Sequence, residues 1–151
     1  MKVDGPAAAL ATAGVVVAID QATKQLAATR IAPYDKVDVI PGLQFTNTRN
    51  TGVAFGALEV GGLIVAVLIG VSLAALLAYF YANRERAWLW LPVGMLLGGA
   101  LGNLADRARE GAVIDFIDPV AWPAFNVADS CIVIGVVVLL LLVEGRTLRS
   151  G

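Results

Sequence analysis

The chain has 151 residues, 58% of them hydrophobic and only 15% charged, with a mean hydropathy of +0.78, whereas an ordinary soluble domain carries about a quarter charged residues. A net charge of -1 and a pI near 5.3 leave no basic stripe to neutralise phosphates, which excludes a nucleic-acid partner. A single cysteine, Cys131, and no histidine exclude an internal disulfide, a cysteine-based structural zinc, His-ligated metals and His-dependent triads, so acid–base chemistry near neutral pH falls to carboxylates, lysine or tyrosine.

A bilayer core about 30 Å thick needs about 20 helical residues, and four intervals, 7–28, 59–82, 87–105 and 127–144, read as spans on that measure. The expected fold is an all-α membrane protein, one integral-membrane domain over residues 1–151 with four transmembrane helices. The first interval, with Lys2 ahead of an uncharged run over 5–19, looks superficially like a secretory leader. No small-residue cleavage site opens into a polar mature domain, so it is read as a retained span. Continued to residue 28, it carries Asp20 and Lys24 four residues apart, placed to pair on one face.

The connection over 30–58 has Val37 and Val39, then Pro41-Gly42, then Leu43 and Phe45, with polar residues between. This pattern predicts two short strands around a turn, a small sheet resting on the membrane surface. The string NTRNTGVAFG closes the connection. In it Asn50 precedes Thr51-Gly52, where glycine permits close backbone approach and an asparagine amide can both donate to and accept from a peptide. An ordinary Asn-rich turn would look the same.

Spans two and three are separated by the tight turn Asn83, Arg84, Glu85, Arg86, and the run Gly94, Gly98, Gly99, Gly102 would let a neighbouring helix come close to span three. In GNLADR, which ends that span, Asn103, Asp106 and Arg107 share a face at offsets of three and four; a surface Asp–Arg pair beside an Asn helix end is the plainer alternative. In AVIDFID, Asp115 is flanked by Val113, Ile114, Phe116 and Ile117, an apolar setting that desolvates a carboxylate and raises its pKa, and Asp118 follows. An apolar connection through Pro119, Trp122, Pro123 and Phe125 leads to FNVADS, where Asn126 and Asp129 share a face with only Val127 and Ala128 between them. Asn126 suits an N-cap, and the helix dipole by itself favours a carboxylate at Asp129.

Antiparallel packing of four spans gathers Asp20, Asp106, Asp115 and Asp129 on one side. An Asp in hydrocarbon costs about 2.5–3.5 kcal/mol on insertion scales, which makes such residues functional candidates. Two carboxylates that approach closely share one proton and titrate as a pair. The ionised member takes a proton from water and the protonated member polarises a carbonyl, the apparatus of an aspartic protease, which needs neither metal nor nucleophilic side chain. Orientation is not set by charge: Lys2, Arg84, Arg86, Arg146 and Arg149 lie on the terminal side and Arg30, Lys36, Arg49, Arg107 and Arg109 on the other. Two other classes compete: a small proton- or ion-coupled carrier using the same aspartates as a path, and a structural subunit with salt-bridged loop ends. Clustering on one side counts against the first, and the apolar setting of Asp115 and Asp129 against the second.

Taken together and in order, DQATK, NTGVAFG, GNLADR, VIDF and FNVADS resemble the signature of lipoprotein signal peptidase, or signal peptidase II, the bacterial membrane aspartic protease family, from Asp20 to Gly135. The resemblance implies that Asp115 and Asp129 are the catalytic dyad, that Asn50, Gly52, Asn103, Asp106, Arg107, Asn126 and Ala128 support it or orient substrate, and that Asp20 and Lys24 hold the first span near it. It implies no cofactor. The implied partners are diacylglyceryl-modified prolipoproteins, cleaved just before the lipidated cysteine, membrane lipids, and globomycin-type inhibitors. It further implies a multi-pass protein of the bacterial cytoplasmic (inner) membrane, with the site toward the periplasmic face, both termini cytoplasmic, and a small periplasmic sheet with a periplasmic loop or helix beside it. A monomer is expected.

Overall fold

The computed structural model describes residues 4–52 and 59–147. The elements are α1 (Gly5–Arg30), β1 (Lys36–Ile40), β2 (Leu43–Asn50), α2 (Glu59–Ala82), α3 (Trp90–Glu110), β3 (Val113–Pro119) and α4 (Val127–Thr147). The chain is therefore mostly helical with one small antiparallel sheet. Residues 53–56 of the NTGVAFG string lie outside the described residues.

Helix α1 starts at an Asp4 cap followed by Pro6, a residue suited to a first helical turn, and runs unbroken through the predicted first span. It packs along α3, and α3 packs in turn on α4 and α2. The glycines of α3 make the close approaches possible. A Cβ at Gly94 would stand 2.6 Å from the Ala9 carbonyl oxygen and one at Gly98 2.7 Å from that of Ala13, both on α1; at Gly99 it would stand 2.6 Å from the Ala128 carbonyl oxygen on α4. One run of small residues thus seats two helices. At the far end of the bundle Ala9, Phe80, Leu89 and Val93 form an apolar cluster. There the Arg86 guanidinium donates to the Tyr79 hydroxyl and the Leu142 carbonyl, fastening the α2–α3 turn to α4.

Helices α1 and α4 are each long and apolar enough to cross a membrane. The third helix departs from its predicted limits at both ends. Ala87, Trp88 and Leu89 belong to the turn, and the helix runs on past residue 105 to Glu110, where Gly111 at φ 71 caps it in the left-handed conformation. The extension carries Asp106, Arg107 and Arg109 on helical backbone.

The β1–β2 hairpin forms where predicted, with Gly42 at φ 88 supplying the left-handed residue that a Pro-Gly turn needs. The sheet has a third strand beyond the two predicted: β3 pairs antiparallel with β2, setting Thr48 opposite Asp115 and Asn50 opposite Val113, in the order β1-β2-β3. No separate helix stands beside the sheet among the described residues, and the connection between α3 and α4 is strand rather than helix. The backbone N–H groups of Phe116 and Ile117 both donate to the Phe125 carbonyl, at 3.1 and 2.9 Å, folding the Pro-rich connection back on β3. This fold-back brings the start of α4 against Asp115.

Candidate active site

Three elements, α1, α3 and α4, contribute to a buried ionic cluster at the sheet end of the bundle. Lys24 Nζ lies 2.8 Å from Asp20 Oδ2 and 2.7 Å from Asp106 Oδ2, and all three side chains are buried. The i, i+4 pairing expected within α1 is present, and Asp106 adds a second carboxylate from α3. Unpaired, any of these charges would be costly to bury. The remaining acceptors are filled: Asp20 Oδ1 takes the Ala128 N–H at 2.9 Å, and Asp106 Oδ1 takes the Gln21 amide at 2.9 Å. Asp106 pairs with Lys24 and, at 3.3 Å, with Arg109, rather than forming a surface pair with Arg107.

From this cluster a chain of amides leads to Asp115 and Asp129. The third donor of Lys24 goes to Asn103 Oδ1 at 2.8 Å. An ammonium only donates, so it fixes which end of the Asn103 amide is oxygen, and Nδ2 therefore faces Asp129 Oδ1, at 2.8 Å. Asn126 occupies the centre. Its Nδ2 donates to Asp115 Oδ1 at 2.7 Å and to Asn103 Oδ1 at 3.2 Å, while its backbone N–H donates to Asp129 Oδ2 at 3.2 Å. Asp129 N–H returns a bond to Asn126 Oδ1 at 2.9 Å, which closes a reciprocal capping box on α4. Asp129 thus caps its helix with one oxygen and presents the other to Asn103. Capping and membership of the site coincide.

Asp115 is held from the opposite side by Asn50, whose Nδ2 donates to Oδ2 at 2.9 Å. The Asn50 side-chain oxygen accepts the Gly52 N–H at 2.9 Å, and Gly52, at φ 73, lies against the Arg107 guanidinium. A Cβ there would approach Arg107 Nη2 to 3.4 Å, so the glycine serves both the turn and the close approach. Asp115 is 2% exposed among Val113, Ile114 and Phe116, which are also buried. That burial pushes its carboxyl above the ordinary value and the Asp129 charge pushes the same way, against the Asn50 and Asn126 bonds, which favour the ionised form. Asp129 is only half-buried and Asn50 is exposed, so the site opens between them.

Every predicted site residue, Asp20, Lys24, Asn50, Gly52, Asn103, Asp106, Arg107, Asp115, Asn126, Ala128 and Asp129, belongs to this assembly. Asp118 does not: it pairs with Lys36 at 2.6 Å on the sheet. Two participants were missed. Gln21 bridges Asp20, Asp106 and the Gly102 carbonyl, and Arg109 reaches both Gln21 and Asp106. The signal for Gln21 was present in DQATK, three residues before Lys24 on the same helical face; Arg109 offered none. Among the described residues no group of metal-ligating side chains comes together.

Among the described residues the buried polar and charged side chains, Asp20, Lys24, Thr46, Asn47, Asn103, Asp106, Asp115 and Asn126, lie at the sheet end of the bundle. A translocation path would need such groups through its depth, and the arrangement therefore counts against a carrier.

Comparison with known proteins gives one answer. The family model for signal peptidase (SPase) II matches residues 12–144. The lipoprotein signal peptidase of Moorella thermoacetica is 43% identical over 141 residues, covering 90% of this chain and 94% of that protein. The lipoprotein signal peptidase of Halothermothrix orenii is 38% identical over 128 residues, covering 84% and 88%. A bacterial membrane enzyme solved by the in meso method at 1.9 Å resolution superposes with a TM-score of 0.79 at 34% identity, over 89% of this chain and 91% of that one. With a shared fold, a match over nearly the whole length, and two aspartates joined through one asparagine, the chain belongs to the signal peptidase II family of proteases.

Proposed function

We propose that this protein is an aspartic endopeptidase that removes the signal peptide from diacylglyceryl-modified prolipoproteins, cutting just before the lipidated cysteine, with Asp115 and Asp129 as its catalytic pair. The observation that carries this reading is Asn126, which donates to Asp115 through its side chain and to Asp129 through its backbone and so holds both carboxylates to one site.

Asp115, whose burial favours the protonated form, supplies the proton, and Asp129, at the open side, acts as base. Asp129 takes a proton from water as the water oxygen bonds to the scissile carbonyl carbon, and the Asp115 proton passes to the carbonyl oxygen. In the resulting gem-diol the C–N bond breaks as Asp129 returns its proton to the leaving amine, and a diol hydroxyl proton restores Asp115. Asn50 and the Gly52–Arg107 corner flank Asp115, where substrate backbone would enter. Four transmembrane helices, α1 to α4, would place this chemistry at the outer surface of the bacterial inner membrane with both termini in the cytoplasm. A substrate with two acyl chains then stays in lipid, which contributes about 0.8 kcal/mol of affinity per buried methylene. Globomycin-type peptides would compete for the same opening.

The test is turnover of a diacylglyceryl-modified prolipoprotein in liposomes. Asp115→Asn and Asp129→Asn are each expected to abolish cleavage with membrane insertion intact; near-normal turnover by either sinks the assignment. Unlipidated precursor is expected to be a poor substrate.

A further inference from the structure

Between the end of α1 and the sheet runs a groove of about 460 Å³, a size within the roughly 300–1,000 Å³ of small-molecule sites. Its helical wall is Thr23, Leu26, Ala27, Arg30 and Ile31, and its other wall is Val37, Phe45 and Phe116. From Thr23 the helical residues Leu26, Ala27 and Arg30 recur at offsets of three, four and seven and so form a stripe along the axis, with Ile31 just past the helix end. From Thr23 to Arg30 the stripe extends about 10 Å at the helical rise. Arg30 ends α1, and Thr23 to Ala27 lie one to two turns before it in the helix read as the first span.

The lining is apolar except at one end. The Thr23 hydroxyl is already committed to the Ile19 and Asp20 carbonyls at 2.8 and 2.9 Å. Arg30 is the single charge on the walls, it is exposed, and among the described residues no carboxylate pairs with it. A trough with its cation at headgroup level and its apolar floor at acyl depth matches a lipid that carries phosphate above its chains. Successive residues of a strand project from opposite faces, so Phe116 in the groove and Asp115 in the site stand on opposite sides of β3. The diacylglyceryl group of the substrate is an uncharged thioether without phosphate, and it offers Arg30 ester carbonyls but no anion.

We propose that this groove holds one acyl chain of a resident membrane phospholipid whose phosphate pairs with Arg30. The site is separate from the peptidase centre but rests on the same reading of α1 as a membrane span. The full-length protein, delipidated in detergent, is incubated with phosphatidylglycerol or with diacylglycerol of the same chains and read by native mass spectrometry. One phosphatidylglycerol is expected to stay bound, and Arg30→Gln is expected to lower its occupancy about fivefold, as the loss of one surface cation–phosphate attraction predicts. Leu26→Trp, which fills the groove from an exposed position, is expected to lower it at least as much, and diacylglycerol is expected to bind no better than phosphatidylglycerol binds to Arg30→Gln. Unchanged phosphatidylglycerol occupancy in both variants overturns the site. Equal retention of the two lipids by the unaltered protein overturns phosphate recognition and gives the groove to the substrate's own chains. Retention is read without turnover, so its failure leaves the peptidase assignment standing, and inactive prolipoprotein assays leave the lipid site standing.

Discussion

Asn103 stands between Lys24 and Asp129, accepting from the ammonium at 2.8 Å through Oδ1 and donating to the carboxylate at 2.8 Å through Nδ2. The buried charge of α1 thereby sets the direction of an amide on α3, and that amide sets the rotamer of a carboxylate on α4. Positioning of this kind is inexpensive when the groups are ordered before substrate arrives, and a misplacement of about 1 Å can cost about 100-fold in rate.

Asn103→Leu is therefore expected to lower kcat by about 100-fold with little change in KM, because substrate contacts survive while Asp129 loses a donor and Lys24 an acceptor. Asn103→Asp is the informative partner. It keeps the acceptor for Lys24 but places a second carboxylate beside Asp129, so the rate should stay low while thermal stability recovers. A KM effect without a kcat effect would show that Asn103 contacts substrate rather than positioning Asp129.

Lys24→Met leaves Asp20 and Asp106 buried without their shared cation. Breaking one partner out of such a cluster costs about 3–5 kcal/mol. The triple variant Asp20→Asn, Lys24→Met, Asp106→Asn removes all three charges and should regain most of that loss in denaturation experiments in detergent. Equal instability of the single and triple variants would show that packing of the lysine stem, not charge balance, is what matters.

Close helix approach predicts a graded glycine series. Gly99→Ala sets a methyl 2.6 Å from the Ala128 carbonyl, and Gly102→Ala sets one 2.6 Å from Asp20 Oδ2; overpacking of this kind costs about 1–3 kcal/mol. Gly102→Ala should also lower activity, since Asp20 holds the Ala128 N–H at the start of α4. Gly14→Ala, with nothing within 4 Å of the new methyl, should instead gain about 0.5–1 kcal/mol from helix propensity. Melting temperatures of the three variants check the order.

Burial, reinforced by the Asp129 charge, raises the pKa of Asp115 in the folded protein. The native state then holds a proton that the unfolded chain releases, so this group's stabilisation is complete below the unfolded value and is lost as pH rises through the folded one. Asp115→Asn should flatten that decline and leave the protein at least as stable as the unaltered chain at neutral pH, although inactive. For the unaltered enzyme, kcat/KM should fall on the alkaline side as Asp115 loses its proton, above the ordinary carboxylate range. A steeper loss of stability with pH in Asp115→Asn would contradict the sign of the shift.

What the sequence determined by itself was local or periodic. Helical spacing placed Asp20 with Lys24 and Asn126 with Asp129, alternation around Pro41-Gly42 specified the hairpin, and the glycines of span three announced close contact. These features are written in relations of two, three and four residues along the chain, where backbone geometry alone decides who meets whom. The tertiary structure decided the rest. Strand β3 exists because β2, some 65 residues earlier, offers it an edge, and Asn50 reaches Asp115 across that pairing. The end of α3 moved to Glu110 because chain beyond the apolar interval can stay helical where packing allows, and its start moved to Trp90 because Ala87, Trp88 and Leu89, though apolar, are taken up by the turn. Gln21 and Arg109 joined the ionic cluster because Lys24 alone cannot satisfy every oxygen of two buried carboxylates. Above all, the meeting of Asp115 and Asp129 depended on the Phe125 carbonyl folding the Pro-rich connection back onto β3, a contact with no periodic signature in the chain.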